Sequence, residues 1–139
     1  MSWVVDTCVL LDIFEGDPEF AESSADALDA HASEGLAIAP VSYVELAPAF
    51  HRNRAAQDEF LAGLGIATDF DGARESILAA HKAWGDHVAQ KRAGTVRRRP
   101  IADVLIGAFA LTKGGLITRN APDFRSLFPS LRIVEPTAP

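Results

Sequence analysis

Cysteine is almost absent from this 139-residue sequence, in which Cys8 is the only one. A single cysteine excludes an internal disulfide and a cysteine-rich metal site, and it suits a reducing compartment. Residues 1–6 lack the basic segment and long apolar segment of a secretion signal. No apolar run reaches the roughly 20 residues that a membrane helix needs. We therefore expect a cytoplasmic protein without a membrane partner, in which Cys8 is a core residue.

Motifs of several phosphate-handling proteins are missing as well. The sequence has no glycine-rich phosphate loop, and Asp6-Thr7-Cys8 lacks the second aspartate of an Asp-x-Asp nucleophile pair, which disfavours a phosphatase or phosphotransferase. A receiver-type signalling domain needs a lysine near a late strand, whereas Lys113 falls in a predicted helix. Repeats, low-complexity tracts and linkers are also absent, so residues 1–139 are expected to form a single domain.

The net charge of −6 conceals an uneven distribution of charge along the chain. Residues 1–81 hold 3 basic and 15 acidic side chains, whereas residues 82–139 hold 10 basic and 4 acidic ones. This asymmetry suggests that the C-terminal half contacts a polyanion, while the N-terminal half faces solvent or a basic partner. The alternative is that long helices carry these charges only for solvation. The hydrophobic fraction of 48% is sufficient for a packed core in either case.

Short apolar runs alternate with segments of helical periodicity. Strands are predicted at residues 3–5, 36–39, 66–68, 116–118 and 131–134. Helices are predicted around residues 10–14, after the break at 16–18 to about residue 35, and over 42–52, 55–64, 72–92 and 100–113. Parallel strands require crossover connections, which are usually helices. The pattern therefore predicts an α/β protein whose parallel sheet has helices on both faces.

Four acidic residues stand near strand ends or helix starts, at Asp6, Glu45, Asp103 and Asp123. In parallel α/β sheets, function collects at the carboxyl ends of the strands, where these acids would converge. Crowded carboxylates repel one another unless they are protonated or bind a cation. Without histidine or cysteine ligands, such a cluster selects Mg²⁺ or Mn²⁺ over zinc.

Each of these acids also has a purely structural explanation. Asp6 could cap the first helix, and Ser42-x-x-Glu45 matches a capping box. Asp103 could complement a helix dipole, and Asp123 could cap a turn. Taken singly, each acid is more readily explained as structural than as catalytic. Taken together, four acids at one sheet edge favour an active site.

The same residues carry a resemblance to a known family. The chain resembles the PIN domains of bacterial VapC-type toxins at Val4-Val5-Asp6-Thr7, Ser42-x-x-Glu45, Ala102-Asp103-x-Leu105-Ile106-Gly107-Ala108, Thr118-Arg119-Asn120-x-x-Asp123-Phe124 and Phe128-Pro129-x-Leu131-x-Ile133. The resemblance covers essentially the whole chain. It implies a PIN-domain fold with a parallel five-stranded sheet, divalent-metal-dependent endoribonuclease activity, homodimers, and inhibition by a cognate antitoxin. Some relatives have aspartate in place of Asn120, so Asn120 and Asp123 could share the fourth acidic role, or Asp123 could fill it alone.

Hydrolysis of an RNA phosphodiester gives each residue an expected role. Asp6 and Asp103 are assigned as the main metal ligands, Asp123 as a ligand directly or through water, and Glu45 as a ligand or a base for the attacking water. The residues expected to orient them are Thr7, Thr118 and Asn120. The loop residues Arg97, Arg98 and Arg99 are expected to bind RNA, and Arg119 either contacts a phosphate or forms a structural salt bridge. The alternative function is a non-toxin PIN-like protein that processes RNA, or binds RNA without cleaving it.

Overall fold

The computed structural model describes residues 2–92 and 101–137, so Arg97, Arg98 and Arg99 lie outside the described residues. Within these ranges five strands form one sheet in the order β3-β2-β1-β4-β5, and every neighbouring pair is parallel. The strands are β1 Trp3–Val5, β2 Leu36–Ala37, β3 Ile66–Ala67, β4 Gly115–Ile117 and β5 Ile133–Val134. The expected five-stranded parallel sheet is confirmed. β2, β3 and β5 are shorter than the sequence predicts.

Helices connect successive strands, as parallel pairing requires. They are α1 Thr7–Glu15, α2 Ala21–His31, α3 Pro40–Glu45, α4 Arg54–Gly63, α5 Ala73–Arg92, α6 Ile101–Lys113 and α7 Ala121–Leu127. A short 3-10 helix, Ala32–Glu34, precedes β2. In the part of the chain that the structure describes, no helix has the length and apolar character needed to cross a membrane.

The sheet separates two apolar clusters because successive side chains of a strand point to opposite faces. In β1, Val4 joins a cluster formed with α5, α6 and α7, whereas Trp3 and Val5 join a cluster formed with α1, α2 and α4. Residues of α6 dominate the first cluster, and Val104 and Phe109 are almost fully buried there. The helices therefore cover both faces of the sheet, as expected.

The predicted third helix, over residues 42–52, is wrong at both of its ends. The helix begins at Pro40, whose fixed backbone angle and missing N–H suit the first helical turn. It ends at Glu45, and residues 46–52 form turns instead of continuing the helix. Pro48 cannot donate a helical hydrogen bond, and His51 and Arg52 have left-handed backbone angles, with φ of 51° and 65°. Glu45 therefore lies in the last turn of a short helix.

Candidate active site at the carboxyl edge of the sheet

The strand order reverses between β1 and β4. The chain moves from β1 to β2 on one side and later returns as β4 on the other side. Ligands of open parallel sheets bind beyond the carboxyl ends of the strands at such a reversal. Asp6 follows β1 directly and Thr118 follows β4. The Thr118 Oγ1 hydroxyl donates a hydrogen bond of 2.6 Å to Asp6 Oδ2, so the two side chains join across the reversal.

Asp6 is a buried carboxylate held by several donors. It is the N-cap of α1, where its Oδ1 accepts a hydrogen bond of 2.8 Å from the Thr7 N–H. The Cys8 thiol donates to Oδ2 at 3.4 Å. Burial raises the pKa of Asp6 above 3.8 although these hydrogen bonds oppose the shift, and the negative charge of Glu45 raises it further. The capping explanation of Asp6 is confirmed, but capping does not account for the burial of its charge.

Thr7 connects Glu45 to this carboxylate. The buried Thr7 donates its hydroxyl hydrogen to Glu45 Oε1 at 2.8 Å, while its backbone N–H donates to Asp6. Glu45 comes from α3, the helix that follows the neighbouring strand β2. The structure therefore brings Asp6 and Glu45 together from two separate elements through one threonine.

The direction of α6 implies that Asp103 lies toward the same edge. The helix ends at Lys113, two residues before β4 begins at the amino edge of the sheet. Its 13 residues span about 20 Å, which is longer than a three-residue strand, so the helix begins near the carboxyl edge. Asp103 lies in this first turn and is half-buried.

Asp123 reaches the edge by a different connection. It lies in the first turn of α7, which follows β4, and it is half-buried. Its backbone N–H donates to the carbonyl oxygen of Asn120 at 3.1 Å. Asn120 in turn donates its backbone N–H to Thr118 Oγ1 at 3.0 Å, although its own side chain is exposed and makes no capping bond. Backbone hydrogen bonds thus connect Asp123 to the threonine that supports Asp6.

The atoms that could bind a metal ion at this edge suit a hard cation better than they suit zinc. They are carboxylate and hydroxyl oxygens, and the one thiol nearby, that of Cys8, has its pKa raised to about 12 by burial, which keeps it protonated. A divalent cation would offset the unfavourable burial of the Asp6 charge and its repulsion by Glu45. Within residues 2–92 and 101–137, however, no three histidine, cysteine or acidic side chains form a group that could hold a metal ion.

Arg119 is already engaged by the protein. Its Nε and Nη2 donate to the two carboxylate oxygens of Asp12, at 2.5 Å and 3.0 Å, and its guanidinium lies 4.2 Å from the centre of the Phe20 ring. The structure therefore contains the salt bridge that the sequence leaves as one of two alternatives. Contact of Arg119 with RNA stays a prediction.

Two features of the site differ from what the sequence indicates. The capping-box explanation of Ser42 is wrong, because Ala39 is the N-cap of α3 and the buried Ser42 hydroxyl has no hydrogen-bond partner. Sequence reasoning also missed Asp12. The available signal was a single charge within the apolar stretch from Val9 to Phe14, where a buried acid needs a partner.

Comparison with solved structures supports the fold. A chain in the structure of VapBC2 from Rickettsia felis bound to a promoter DNA fragment is 20% identical, with a TM-score of 0.69, over 97% of this chain and 98% of that one. A chain of VapBC-1 from nontypeable Haemophilus influenzae is 19% identical, with the same TM-score of 0.69 and the same coverage of 97% and 98%. A chain of FitAB bound to the IR36 DNA fragment is 17% identical, with a TM-score of 0.64, over 98% and 95% of the two chains. No curated protein sequence matched.

The fold and the acidic edge define an α/β protein with a carboxylate site at the strand-order reversal. The family model for the PIN domain matches residues 3–127, which is nearly the whole described sheet with its helices. The chain belongs to the PIN-domain family.

Proposed function

We propose that this protein is a metal-dependent endoribonuclease of the VapC toxin type. The observation that carries the proposal is the buried Asp6 carboxylate, joined to Thr118 across the strand-order reversal and to Glu45 through Thr7, in a chain of the PIN-domain family. A buried acid beside a second acid makes folding less favourable, so the fold itself gives no reason for this arrangement. A phosphodiesterase that depends on a bound cation requires such a pair of acids.

Asp6 and Asp103 would be the main ligands of Mg²⁺ or Mn²⁺, with Asp123 binding directly or through water. A bound divalent cation supplies Lewis acidity toward the phosphate and lowers the pKa of water. Glu45 serves as a further ligand or accepts a proton from the attacking water. Thr7 and Thr118 fix the orientation of the carboxylates through the hydroxyl hydrogen bonds described above. Attack by water predicts products with 5′-phosphate and 3′-hydroxyl ends.

The RNA is expected to approach from the basic C-terminal half. Residues 82–139 hold 10 basic and 4 acidic side chains, and two of those acids, Asp103 and Asp123, belong to the proposed site. The segment 97–99 consists of three arginines, and only Pro100 separates it in sequence from the helix that carries Asp103. Arginine contacts with phosphates release counterions, so RNA binding should weaken as salt rises.

A cognate antitoxin is the proposed protein partner. Two of the similar structures are of VapBC proteins and one is of FitAB, and in this chain the acidic half suits a basic partner. That half also has an open apolar cavity of about 770 Å³, lined in part by Phe14, Phe50 and Phe60. An antitoxin segment with apolar anchors and a basic side chain would satisfy both features. Homodimer formation and a cytoplasmic location complete the proposal.

The test is cleavage of total RNA by the purified protein with Mg²⁺, Mn²⁺ or EDTA, followed by sequencing of the new 5′ ends. We expect cleavage with either cation, none in EDTA, and 5′-phosphate products. Asp6→Asn, purified identically, reports contaminating ribonuclease. Asp86→Asn is the matched control, because Asp86 forms an exposed ion pair with Lys82 on α5.

Each result has a defined meaning for the proposal. Undiminished cleavage in EDTA, or cyclic-phosphate ends, would contradict the mechanism. RNA binding without cleavage by the wild type would favour the non-cleaving PIN-like alternative. Growth arrest on expression, relieved by co-expression of a short neighbouring reading frame, would separate a toxin from a stand-alone RNA-processing enzyme.

A further inference from the structure

We infer that Asp12 is a positioning residue for the carboxylate site and acts through Arg119 on the segment 118–120. The inference rests on the proposed function, because it assigns a role within that site. Asp12 is buried in α1, about 1.7 helical turns beyond Asp6. Its carboxylate oxygens bind Arg119, the residue next to Thr118.

The Asp12–Arg119 pair has a fixed geometry. Two guanidinium nitrogens of Arg119 donate to two different oxygens of Asp12, which fixes both direction and distance. The Phe20 ring lies against the guanidinium, and the Ser24 hydroxyl donates to Asp12 Oδ2 at 3.4 Å. The carboxylate thus links α1 and α2 to the end of β4.

Stability alone does not explain this pair. The Asp12 side chain is buried and the Arg119 side chain is 27% exposed, so formation of the pair costs desolvation that offsets part of the attraction, and an apolar pair of similar volume is often as stable. The position of Arg119 gives the pair another use. Its neighbours Thr118 and Asn120 support Asp6 and begin the helix that carries Asp123. Anchoring the Arg119 side chain therefore restrains the backbone from which two parts of the site are built.

The connection from Arg119 to Asp6 is short. Thr118 Oγ1 donates to Asp6 Oδ2 at 2.6 Å and accepts the Asn120 N–H at 3.0 Å. A small rotation of this backbone would move the hydroxyl away from the carboxylate. Second-sphere changes of this kind typically reduce metal affinity or activity by about 10–100-fold.

The experiment compares Asp12→Asn with Ser24→Ala. Asp12→Asn keeps the side-chain volume but removes the charge that holds Arg119. Ser24→Ala removes the other hydrogen bond to the same carboxylate and leaves the arginine pair in place. Hydrogen exchange of residues 118–123 is measured in the metal-free proteins, together with Mn²⁺ affinity and the kcat and KM for RNA cleavage. Arg119→Lys, which keeps the charge but loses the paired donors, is a second variant in case Asp12→Asn folds poorly.

For Asp12→Asn we expect faster exchange in residues 118–123, Mn²⁺ binding weakened about 10–100-fold and a similar fall in kcat, with KM nearly unchanged. Ser24→Ala should differ little from the wild type in all three measurements. Unchanged exchange, equal losses in both variants, or a rise in KM alone would overturn the inference; the last result would make Arg119 an RNA contact. The exchange measurement tests the positioning even if the wild type proves unable to cleave RNA, which would count against the proposed function instead.

Discussion

The two edges of the sheet are built on opposite principles. At the amino edge, the Trp3 side chain fills the space beside Gly115. The Arg132 guanidinium lies 5.0 Å from the centre of a Trp3 ring, and the His31 and Trp3 ring centres are 4.8 Å apart. At the carboxyl edge, a buried carboxylate faces hydroxyl donors and a second acid. The contacts at the amino edge stabilise the fold, whereas the buried charge at the carboxyl edge destabilises it. This difference is the one that the proposed active site at the carboxyl edge would explain.

The largest expected effect is that of Asp6→Asn on cleavage. Asparagine caps helices about as well as aspartate, and the Thr118 hydroxyl can accept a hydrogen bond as well as donate one. Metal-free stability should therefore stay equal or rise, while cleavage falls by more than about 100-fold because a charged ligand is lost. Urea unfolding in EDTA and an RNA cleavage assay measure the two properties. A destabilised variant that still cleaves RNA would make Asp6 a structural cap only.

Asp103→Asn compares the same two properties, stability without metal and RNA cleavage, for an acid that lies in a helix. If Asp103 only complements the dipole of α6, loss of its charge should cost about 0.3–1 kcal/mol and leave cleavage intact. As a metal ligand, it should instead show a loss of cleavage by orders of magnitude and a smaller rise in melting temperature when Mg²⁺ is added. Melting curves with EDTA and with Mg²⁺, measured beside cleavage, distinguish the two roles.

Gly115→Ala tests the opposite edge. An added Cβ would lie 2.4 Å from Trp3 Cζ3 and 2.8 Å from the carbonyl oxygen of Arg132, so side chain and backbone must both move. Overpacking of this kind costs about 1–3 kcal/mol of stability. Cleavage per folded molecule should be unchanged, because the substitution lies at the far end of β4. A loss of kcat without a loss of stability would show that the two edges are not independent.

The sequence predicts the sheet better than it predicts the site. Short continuous apolar runs such as Trp3–Val5 reflect burial within the sheet. The five parallel strands could therefore be inferred from the local sequence pattern. Asp6 and Glu45 could be expected at one edge because strand ends share an edge in a parallel sheet, and the structure joins them through Thr7. The convergence of Asp103 and Asp123 on the same point stays a prediction. The turn after Glu45 was missed because the apolar pattern continues through Phe50, although Pro48 marks the break.

Contacts between distant residues could not be predicted in this way. Asp12 and Arg119 are 107 positions apart, and Thr118 lies 112 positions from Asp6. Their pairing depends on which strands become neighbours and on the register of β1 with β4, which sets Val5 opposite Ile117. No local pattern contains that information, so the supports of the acids were less predictable than the acids themselves.

The smallest expected effect is a pH dependence that belongs to the carboxyl edge alone. Burial raises the pKa of Asp6 above its unfolded value of 3.8, so the folded protein holds this proton more tightly than the unfolded chain does. The associated stability is complete below pH 3.8 and is lost as the pH rises through the folded pKa. Asp6→Asn lacks this group and should not show the loss.

We therefore expect the metal-free variant to gain stability relative to the wild type as the pH rises above 3.8. The measurement is the free energy of unfolding by urea in EDTA for both proteins across this range, and their difference cancels titrations that they share. Mg²⁺ should reduce the difference at the upper end, because it stabilises only the folded state that binds it. A difference that stays constant with pH would mean that the Asp6 charge is not disfavoured by folding, and the contrast between the two edges would then rest on cleavage alone.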